Sequence, residues 1–447
     1  MGKDTLMRSS PPRSAAATAP QLEAYRLLTW LACPMAGWLL RSRLRRGKED
    51  KARLPERLGH PSLARPRGPL VWVHAASVGE ANSVLPLIQA LVSDRPDLWV
   101  LFTTGTVTSA RLVADRLPQR TLHQYAPLDA PQLAGRFLDF WRPSLAVFTE
   151  QEIWPNLIVG ASKRRIPMVV VNARMSETSH LRWQRRRRLS AALFSQFALV
   201  LSQSEAIAAR FRSLGAAQVD TVGNLKIDAP APRADPKALR RLEEALAGRP
   251  RFLAASTHPG EESVVATAHR MIAKKVPGLV TIIAPRHPER GEAIVRELSA
   301  AGLTSVRRAL GGRPDTTTDI YVADTMGELG TLYALSPVAF IGGSLIPHGG
   351  QNPIEAVRHG AVVVTGPSRE NFAEPYDALL SADGAFLVED PPSLARCVEA
   401  LLTCPERVDD CRRRATEAIN RLAGALERTL AALRPLLPAP QESERVP

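Results

Sequence analysis

The feature that most constrains this chain is a rhythm. From Pro69 onward, short apolar runs of strand type alternate with longer stretches of helical pattern. The runs are Leu70–His74, Leu98–Thr103, Leu145–Thr149, Met168–Val171 and Leu199–Ser202, then Phe252–Ala255, Val280–Ala284, Ile320–Ala323, Val338–Ile341 and Ala361–Thr365. A turn at Ser77–Glu80 and a helix over Ala81–Val92 follow the first of them. Alternation of this kind predicts parallel sheets with helices on both faces. The rhythm breaks once, near Asp228–Gly248, which opens with three prolines and is the candidate linker. A chain of 447 residues suits two or three domains. The expected fold class is therefore α/β, with two doubly wound halves. In such sheets ligands bind outside the carboxyl ends of the strands. Two halves facing each other would place the chemistry in the cleft between them.

The richest joint is Val338–Gly366, VAFIGGSLIPHGGQNPIEAVRHGAVVVTG. It reads as strand, glycine loop, helix and strand. Gly342, Gly343, Gly349 and Gly350 predict a loop bare enough for a ligand to approach the backbone. Pro353 suits a first helical turn. A helix start behind such a loop is a ready anion site, and Glu355 is placed to accept from a ribose hydroxyl. The plainer reading is an ordinary strand-loop-helix joint capped by Asn352.

Other motifs fall at strand ends. HAASVGE (His74–Glu80) puts Glu80 near a helix start, either as a base for an attacking hydroxyl or as an acid in a first helical turn. TEQEIWPN (Thr149–Asn156) offers Glu150 and Glu152, with Trp154-Pro155 fixing the turn. VNARMSETSH leads into Arg182 and Arg185–Arg188, which are either a solvated helix face or contacts to phosphates. VGNLKID carries Lys226. In the second half, ASTHPGEE and APRHPER hold His258, His287 and Arg286, the last suited to a phosphate. DTMGELGTLY sets the backbone N–H groups of Met326 and Gly327 at another helix start. No HExxH, clustered Cys/His set, GxGxxG or GxxxxGK[ST] occurs, so neither a metal nor a cofactor is expected. Cys397, Cys404 and Cys411, seven apart, predict one stripe of a helix. With Cys33 they form no disulfide framework.

Net charge is +14, and residues 1–68 hold fourteen Lys/Arg against five Asp/Glu. A basic excess calls for an acidic partner. Nucleic acid is disfavoured, since no binding motif occurs and aromatics make up 5% of the chain. Residues 1–20, rich in Ser, Pro and Ala, read as a disordered extension. Leu27–Leu40 is apolar but shorter than the ~20 residues of a comfortable span. Trp30 and Trp38 suit a membrane interface, and Arg41, Arg43, Arg45, Arg46 and Lys48 follow. The expectation is a short helix that lies on, or is anchored in, an anionic membrane surface, with its basic flank toward the cytoplasm; the plainer reading is a helix packed on the protein's own core.

HAASVGE, TEQEIWPNL, VNARMSETS, GNLKID, STHPGEE, APRHPER, DTMGELGTLY and GGSLIPHGGQNPIEA occur in the order and spacing of the 3-deoxy-D-manno-octulosonic acid (Kdo) transferases of lipopolysaccharide core biosynthesis. The chain resembles that family from about Gln21 to about residue 430. The resemblance implies the GT-B architecture of two Rossmann-like domains with an interdomain cleft. It implies Glu80 as catalytic base, and Glu150 and Lys226 as groups stabilising the transition state. It also implies donor-nucleotide contacts at Pro285, Arg286, Met326, Gly327, Glu328, Asn352, Pro353, Ile354 and Glu355. The implied donor is CMP-Kdo, the acceptor a phosphorylated lipid A precursor of the lipid IVA type, and the place the cytoplasmic side of the inner membrane. Gln151 departs from the threonine usual in the family, and residues 1–20 extend its usual start. The expected division is a membrane-associating segment over 21–68, an acceptor domain over 69–227, a linker over 228–248, a donor domain over 249–435 and a tail over 436–447. Two rivals share the fold: an enzyme with another donor, whether UDP-sugar transferase or epimerase, and a catalytically silent membrane-bound binding protein.

Overall fold

The computed structural model describes residues 19–114 and 116–440. Residues 1–18 of the expected extension over 1–20, and 441–447 of the tail over 436–447, lie outside them; Pro20 already opens a helix. The chain divides into two units. One holds the described residues up to Ala229 and from Gly424 onward, the other Pro230–Ala423.

Among the described residues, the first unit builds a seven-stranded sheet from β1 (Leu70–Ala75), β2 (Trp99–Thr104), β3 (Thr121–Tyr125), β4 (Leu145–Thr149), β5 (Met168–Ala173), β6 (Leu199–Ser202) and β7 (Val219–Thr221). Its order is β3-β2-β1-β4-β5-β6-β7, with parallel pairing throughout. The second unit builds another from β8 (Arg251–Thr257), β9 (Val280–Pro285), β10 (Ser305–Arg307), β11 (Ile320–Val322), β12 (Val338–Ile341), β13 (Val362–Thr365) and β14 (Ala385–Leu387). Its order is β10-β11-β9-β8-β12-β13-β14, again parallel. All ten predicted runs are strands. The four that the sequence left unread, β3, β7, β10 and β14, are the four sheet edges.

Each sheet has one place where the strand order reverses, between β1 and β4 in the first and between β8 and β12 in the second. Loops leaving the carboxyl ends of such a pair run to opposite faces and open a crevice for ligands. Under the first crevice the core is aromatic. Trp72 meets Phe137 and Phe148 edge-on at centroid distances of 4.9 and 5.2 Å, and its indole N–H donates to the Thr103 hydroxyl at 2.8 Å. Edge-to-face packing of this kind adds about 0.5–1.5 kcal/mol per pair beyond simple burial.

Several expectations need correction. The 228–248 linker is largely structured. Pro236–Leu246 is a helix whose first N–H groups are capped by Asp235, and it buries Leu242 and Leu246. The second domain ends before 435, because the helix Ala425–Leu433 packs Leu430 and Leu433 into the core of the first unit. The three cysteines do not share one helix. Cys397 lies on Pro391–Leu402 and Cys411 on Pro405–Leu422, while Cys404 caps the second of these and is exposed. The apolar N-terminal stretch is two helices, Pro20–Ala32 and Ala36–Arg45, separated by a tight turn at Cys33–Met35. Pro34 lies in that turn and has no N–H to continue the first helix. Among the described residues no helix is long and apolar enough to cross a membrane.

The return of the last helix depends on Asp228. One of its carboxylate oxygens accepts from the Gly424 N–H at 2.8 Å, and the other from Leu426 at 2.6 Å. This is the work of an N-cap, done by a residue far away in sequence. We expect Asp228→Ala to lower the unfolding free energy by about 1–2 kcal/mol and Asp228→Asn to cost less. Urea denaturation of the three proteins checks this, and an unshifted midpoint for the alanine variant would refute the tether.

Candidate active site

Glu80 stands in the first turn of the helix Val78–Asp94, directly after β1. Ser77 is the N-cap, and its hydroxyl accepts from the Glu80 N–H at 3.3 Å. The Glu80 carboxylate in turn accepts from the Ser77 hydroxyl at 2.7 Å and from the Ala76 N–H at 2.9 Å. The reading as an acid in a first helical turn therefore holds, and the reciprocal cap fixes the carboxylate at the carboxyl edge of the sheet. Burial raises its pKa above the ordinary glutamate value. The Ser77 hydroxyl and Ala76 N–H pull it back, while the charges of Glu152 and Glu150 add to the rise.

The loop after β4 supplies those two charges. Glu150 has a left-handed backbone (φ 56°), and its N–H donates to the Val171 carbonyl at 3.0 Å. Lys226 Nζ lies 2.6 Å from Glu150 Oε1. The angle is not that of a hydrogen bond, so the oxygen is ion-paired yet otherwise unpartnered. Lys226 sits on the short helix Leu225–Asp228, whose Leu225 N–H donates to the Asn172 side-chain oxygen at 3.0 Å. Glu152 accepts from the Trp154 indole at 2.7 Å and lies 3.6 Å from His74 Nε2. The WPN stretch is held from elsewhere. Asp129 accepts from the N–H groups of Asn156 and Leu157 at 3.1 and 3.0 Å, capping the helix Pro155–Lys163. Glu80, Glu150, Glu152 and Lys226 thus meet around the first crevice. Asn172, which carried no role in the sequence reading, holds the short helix that bears Lys226, and His74 lies beside Glu152.

The second unit corrects the glycine-loop expectation. Glu261 is fully buried, and its two oxygens accept from the N–H groups of His258, Gly343, Ser344 and Leu345 at 2.7–3.0 Å. Those donors are thereby taken from any phosphate. A Cβ on Gly342 would lie 2.5 Å from the Ser256 carbonyl oxygen, and one on Gly349 would strike the Asn371 amide. At these two positions glycine makes room for the protein itself. The following helix, Ile354–Arg358, has five residues, and Asn352 accepts from the Ile354 N–H at 3.0 Å. Asn352 is a cap, as the plainer reading held, and Pro353 precedes the helix.

Other predicted donor contacts remain open for a ligand. The Arg286 guanidinium, at the end of β9, is exposed and makes no hydrogen bond or ion pair among the described residues. Its charge tempers the pKa of Glu355, which burial raises. The Asn352 amide donates to Glu355 at 3.2 Å. The N–H groups of Met326 and Gly327 find no acceptor among the described residues, but the helix starts later than expected, at Leu329. Glu328 is held by Arg308 and the Thr325 hydroxyl, which lower its pKa. Pro285 is buried at the end of β9. His258 lies 4.0 Å, ring to ring, from His348, and burial and its cationic neighbours depress its pKa to about 4. Among the described residues no group of three or more His, Cys, Asp or Glu side chains is arranged to hold a metal ion.

Residues 52–229 match the family model described as 3-Deoxy-D-manno-octulosonic-acid transferase (kdotransferase). A probable mitochondrial 3-deoxy-D-manno-octulosonic acid transferase of Arabidopsis thaliana is 38% identical over 80% of this chain and 82% of its own. The 3-deoxy-D-manno-octulosonic acid transferase of Haemophilus influenzae is 35% identical over 78% of this chain and 83% of its own. Among solved structures, a UDP-GlcNAc 2-epimerase from Neisseria meningitidis covers 82% of this chain and all of its own at TM-score 0.55. At 14% identity that likeness is one of GT-B fold alone. Taken with the two parallel sheets, the relatives at 38% and 35% identity over some four-fifths of both chains settle the matter: this protein belongs to the 3-deoxy-D-manno-octulosonic acid transferase family, and is a glycosyltransferase.

Proposed function

We propose that the protein moves Kdo from CMP-Kdo to a phosphorylated lipid A precursor of the lipid IVA type, with inversion, at the cytoplasmic face of the inner membrane. The observation that supports this most is Glu80, a half-buried carboxylate of raised pKa fixed at the switch point beside the Glu150–Lys226 pair. An acceptor hydroxyl gives its proton to Glu80 while its oxygen attacks the anomeric carbon of Kdo. The bond from that carbon to the phosphate oxygen breaks, and CMP leaves as an anion. Arg286 and the free N–H groups of Met326 and Gly327 are suited to the charge that grows on the phosphate. Glu328, Asn352, Pro353, Ile354, Glu355 and Pro285 complete the proposed nucleotide contacts, Glu355 toward the ribose. Glu150 and Lys226 balance charge near the reacting centre.

The membrane side of this proposal rests on exposure. Leu27, Leu28, Trp30, Leu31, Met35, Trp38 and Leu39 are 44–68% exposed on the two N-terminal helices and the turn between them. Arg41, Arg45 and Arg46 are at hand, and cations favour an anionic leaflet by about 1 kcal/mol each. The same helices are anchored to their own unit, where Leu22 is buried, the Tyr25 hydroxyl donates to Asp129 at 2.9 Å and Asn156 donates to Thr29 at 3.0 Å.

Four variants test this reading. Glu80→Gln should lower turnover by roughly 10²–10⁴, with calorimetric CMP binding unchanged. A base must be unprotonated, so the acid limb of kcat/KM should lie above the ordinary glutamate pKa of about 4.3. Glu152→Gln removes a neighbouring negative charge and should move that limb to lower pH; a limb that stays put disconnects Glu152 from Glu80. Arg286→Ala should weaken CMP binding by about 1.5–3 kcal/mol, and an unchanged calorimetric Kd removes Arg286 from the donor site. Replacing Leu28 and Leu31 by Asp should reduce co-sedimentation with anionic vesicles while the Tm holds. A fall in Tm with sedimentation intact would make this face part of the core.

A further inference from the structure

The first unit contains a pocket that the mechanism above does not use. It has a volume of about 210 Å³ and is lined by Gln151, Ile153, Ser179, Arg182, Trp183 and Arg186. Whole small-molecule ligands take larger sites, of roughly 300–1,000 Å³, so this one suits a single functional group of a larger molecule. It lies between the loop that leaves β4 and the helix Glu177–Gln184 that follows β5. Gln151 is the next residue after Glu150, so the pocket adjoins the Glu150–Lys226 pair on the carboxyl edge of the sheet.

Its chemistry is that of an anion site. The Arg182 and Arg186 guanidinium groups are exposed and make no hydrogen bond or ion pair among the described residues. The same holds for Arg185, Arg187 and Arg188 beside them. Some other exposed arginines of this unit do have acidic partners, such as Arg164 with Asp139 and Arg212 with Glu205. Around this opening the positive charge stands unneutralised. The Ser179 hydroxyl accepts from the Gln151 amide at 3.0 Å, which leaves its own proton to donate. Trp183 is held edge-on by Phe194 at 5.3 Å and with Ile153 makes an apolar wall. Two planar cationic forks, one hydroxyl donor and an apolar side fit a phosphate attached to a sugar.

We propose that this pocket is an anion subsite that holds a phosphate monoester of the acceptor through Arg182, Arg186 and Ser179, with Trp183 and Ile153 against the sugar that carries it. The assignment rests on the reading that the acceptor is a phosphorylated lipid. It adds where in this chain one of those phosphates is read, and it makes Gln151, one of the two departures from the family pattern, part of the recognition.

The full-length protein in detergent provides the test, with two acceptors that differ only by phosphatase treatment. The double variant Arg182→Gln/Arg186→Gln should lose about 10- to 100-fold in kcat/KM on the phosphorylated acceptor. It should equal the wild type on the dephosphorylated one, with the KM for CMP-Kdo unchanged. Arg182→Lys/Arg186→Lys should recover part of the loss. An equal loss on both acceptors, or no loss, overturns the proposal. So does a double variant that keeps its phosphate preference but no longer binds anionic vesicles, since the arginines would then serve the bilayer. A second arm does not depend on sugar transfer: titration with inorganic phosphate should give a saturable shift of the Trp183 indole NMR signal in the wild type and none in the double variant. If that shift is seen while no acceptor is glycosylated, the transferase reading fails and the anion site stands. If no saturable shift occurs, the subsite fails even where transfer succeeds.

Discussion

Everything in this molecule follows from parallel strand pairing. Parallel neighbours cannot be joined by a tight turn, so each connection must cross a face of the sheet, and the crossovers here are mostly helices. Both faces are then covered and the central strands are buried and mostly apolar, as in β1 and β12, where every residue is buried. The same rule sends the carboxyl ends of all strands in a sheet to one edge. Groups from distant parts of the sequence, such as Glu80 after β1, Glu150 after β4 and Lys226 after β7, gather there without any local signal that they belong together.

A crowded edge brings conformational and electrostatic costs. Glu150, Asn172 and Ser256 have left-handed backbones at the ends of β4, β5 and β8, and the pairing registers of β5 with β6 and of β8 with β9 shift at the latter two. Such residues cost on the order of 1–3 kcal/mol and persist where surrounding contacts over-determine them. Those contacts are visible: Glu150 is tied to Val171 and Lys226, and Asn172 to Leu225. In the second unit, Glu261 takes up a whole loop's worth of N–H donors. A carboxylate that satisfies so many buried donors makes the loop stiff but closes it to phosphate. The glycines that make that loop look like an anion cradle serve close packing, at Gly342 against the backbone of Ser256 and at Gly349 against Asn371.

The central strands were readable and the edge strands were not, for one reason. A strand buried on both sides is apolar along most of its length, whereas β7 exposes Asp220 and Thr221 and β10 is only half-buried over Ser305–Arg307. Three-residue strands of mixed polarity look like loops. The linker was misread because three prolines outweighed the helical pattern after Asp235, although the cap at Asp235 and the apolar Leu242 and Leu246 were present as signals. The places of Glu80 and Arg286 were legible, since one stands in the first helical turn after β1 and the other directly follows β9. Glu261 left only the trace of an acid in a first helical turn, and the donors it binds lie some eighty residues away.

The sequence by itself determined that the chain makes two parallel α/β sheets, which strands form their centres, and which motifs stand at the strand ends, because burial on both faces and the strand-helix period are local properties. Its long ordered motifs also carried the family. Only the tertiary structure decided which of those motif residues meet, which backbone donors remain available to a ligand, and that the last helix belongs with the first unit. Those depend on pairings between residues tens to hundreds of positions apart, such as Lys226 with Glu150, Glu261 with Gly343 and Asp228 with Leu426. A hydrogen bond or ion pair at that separation leaves no period in the sequence, so it becomes visible only once the sheets have brought its partners to the same edge.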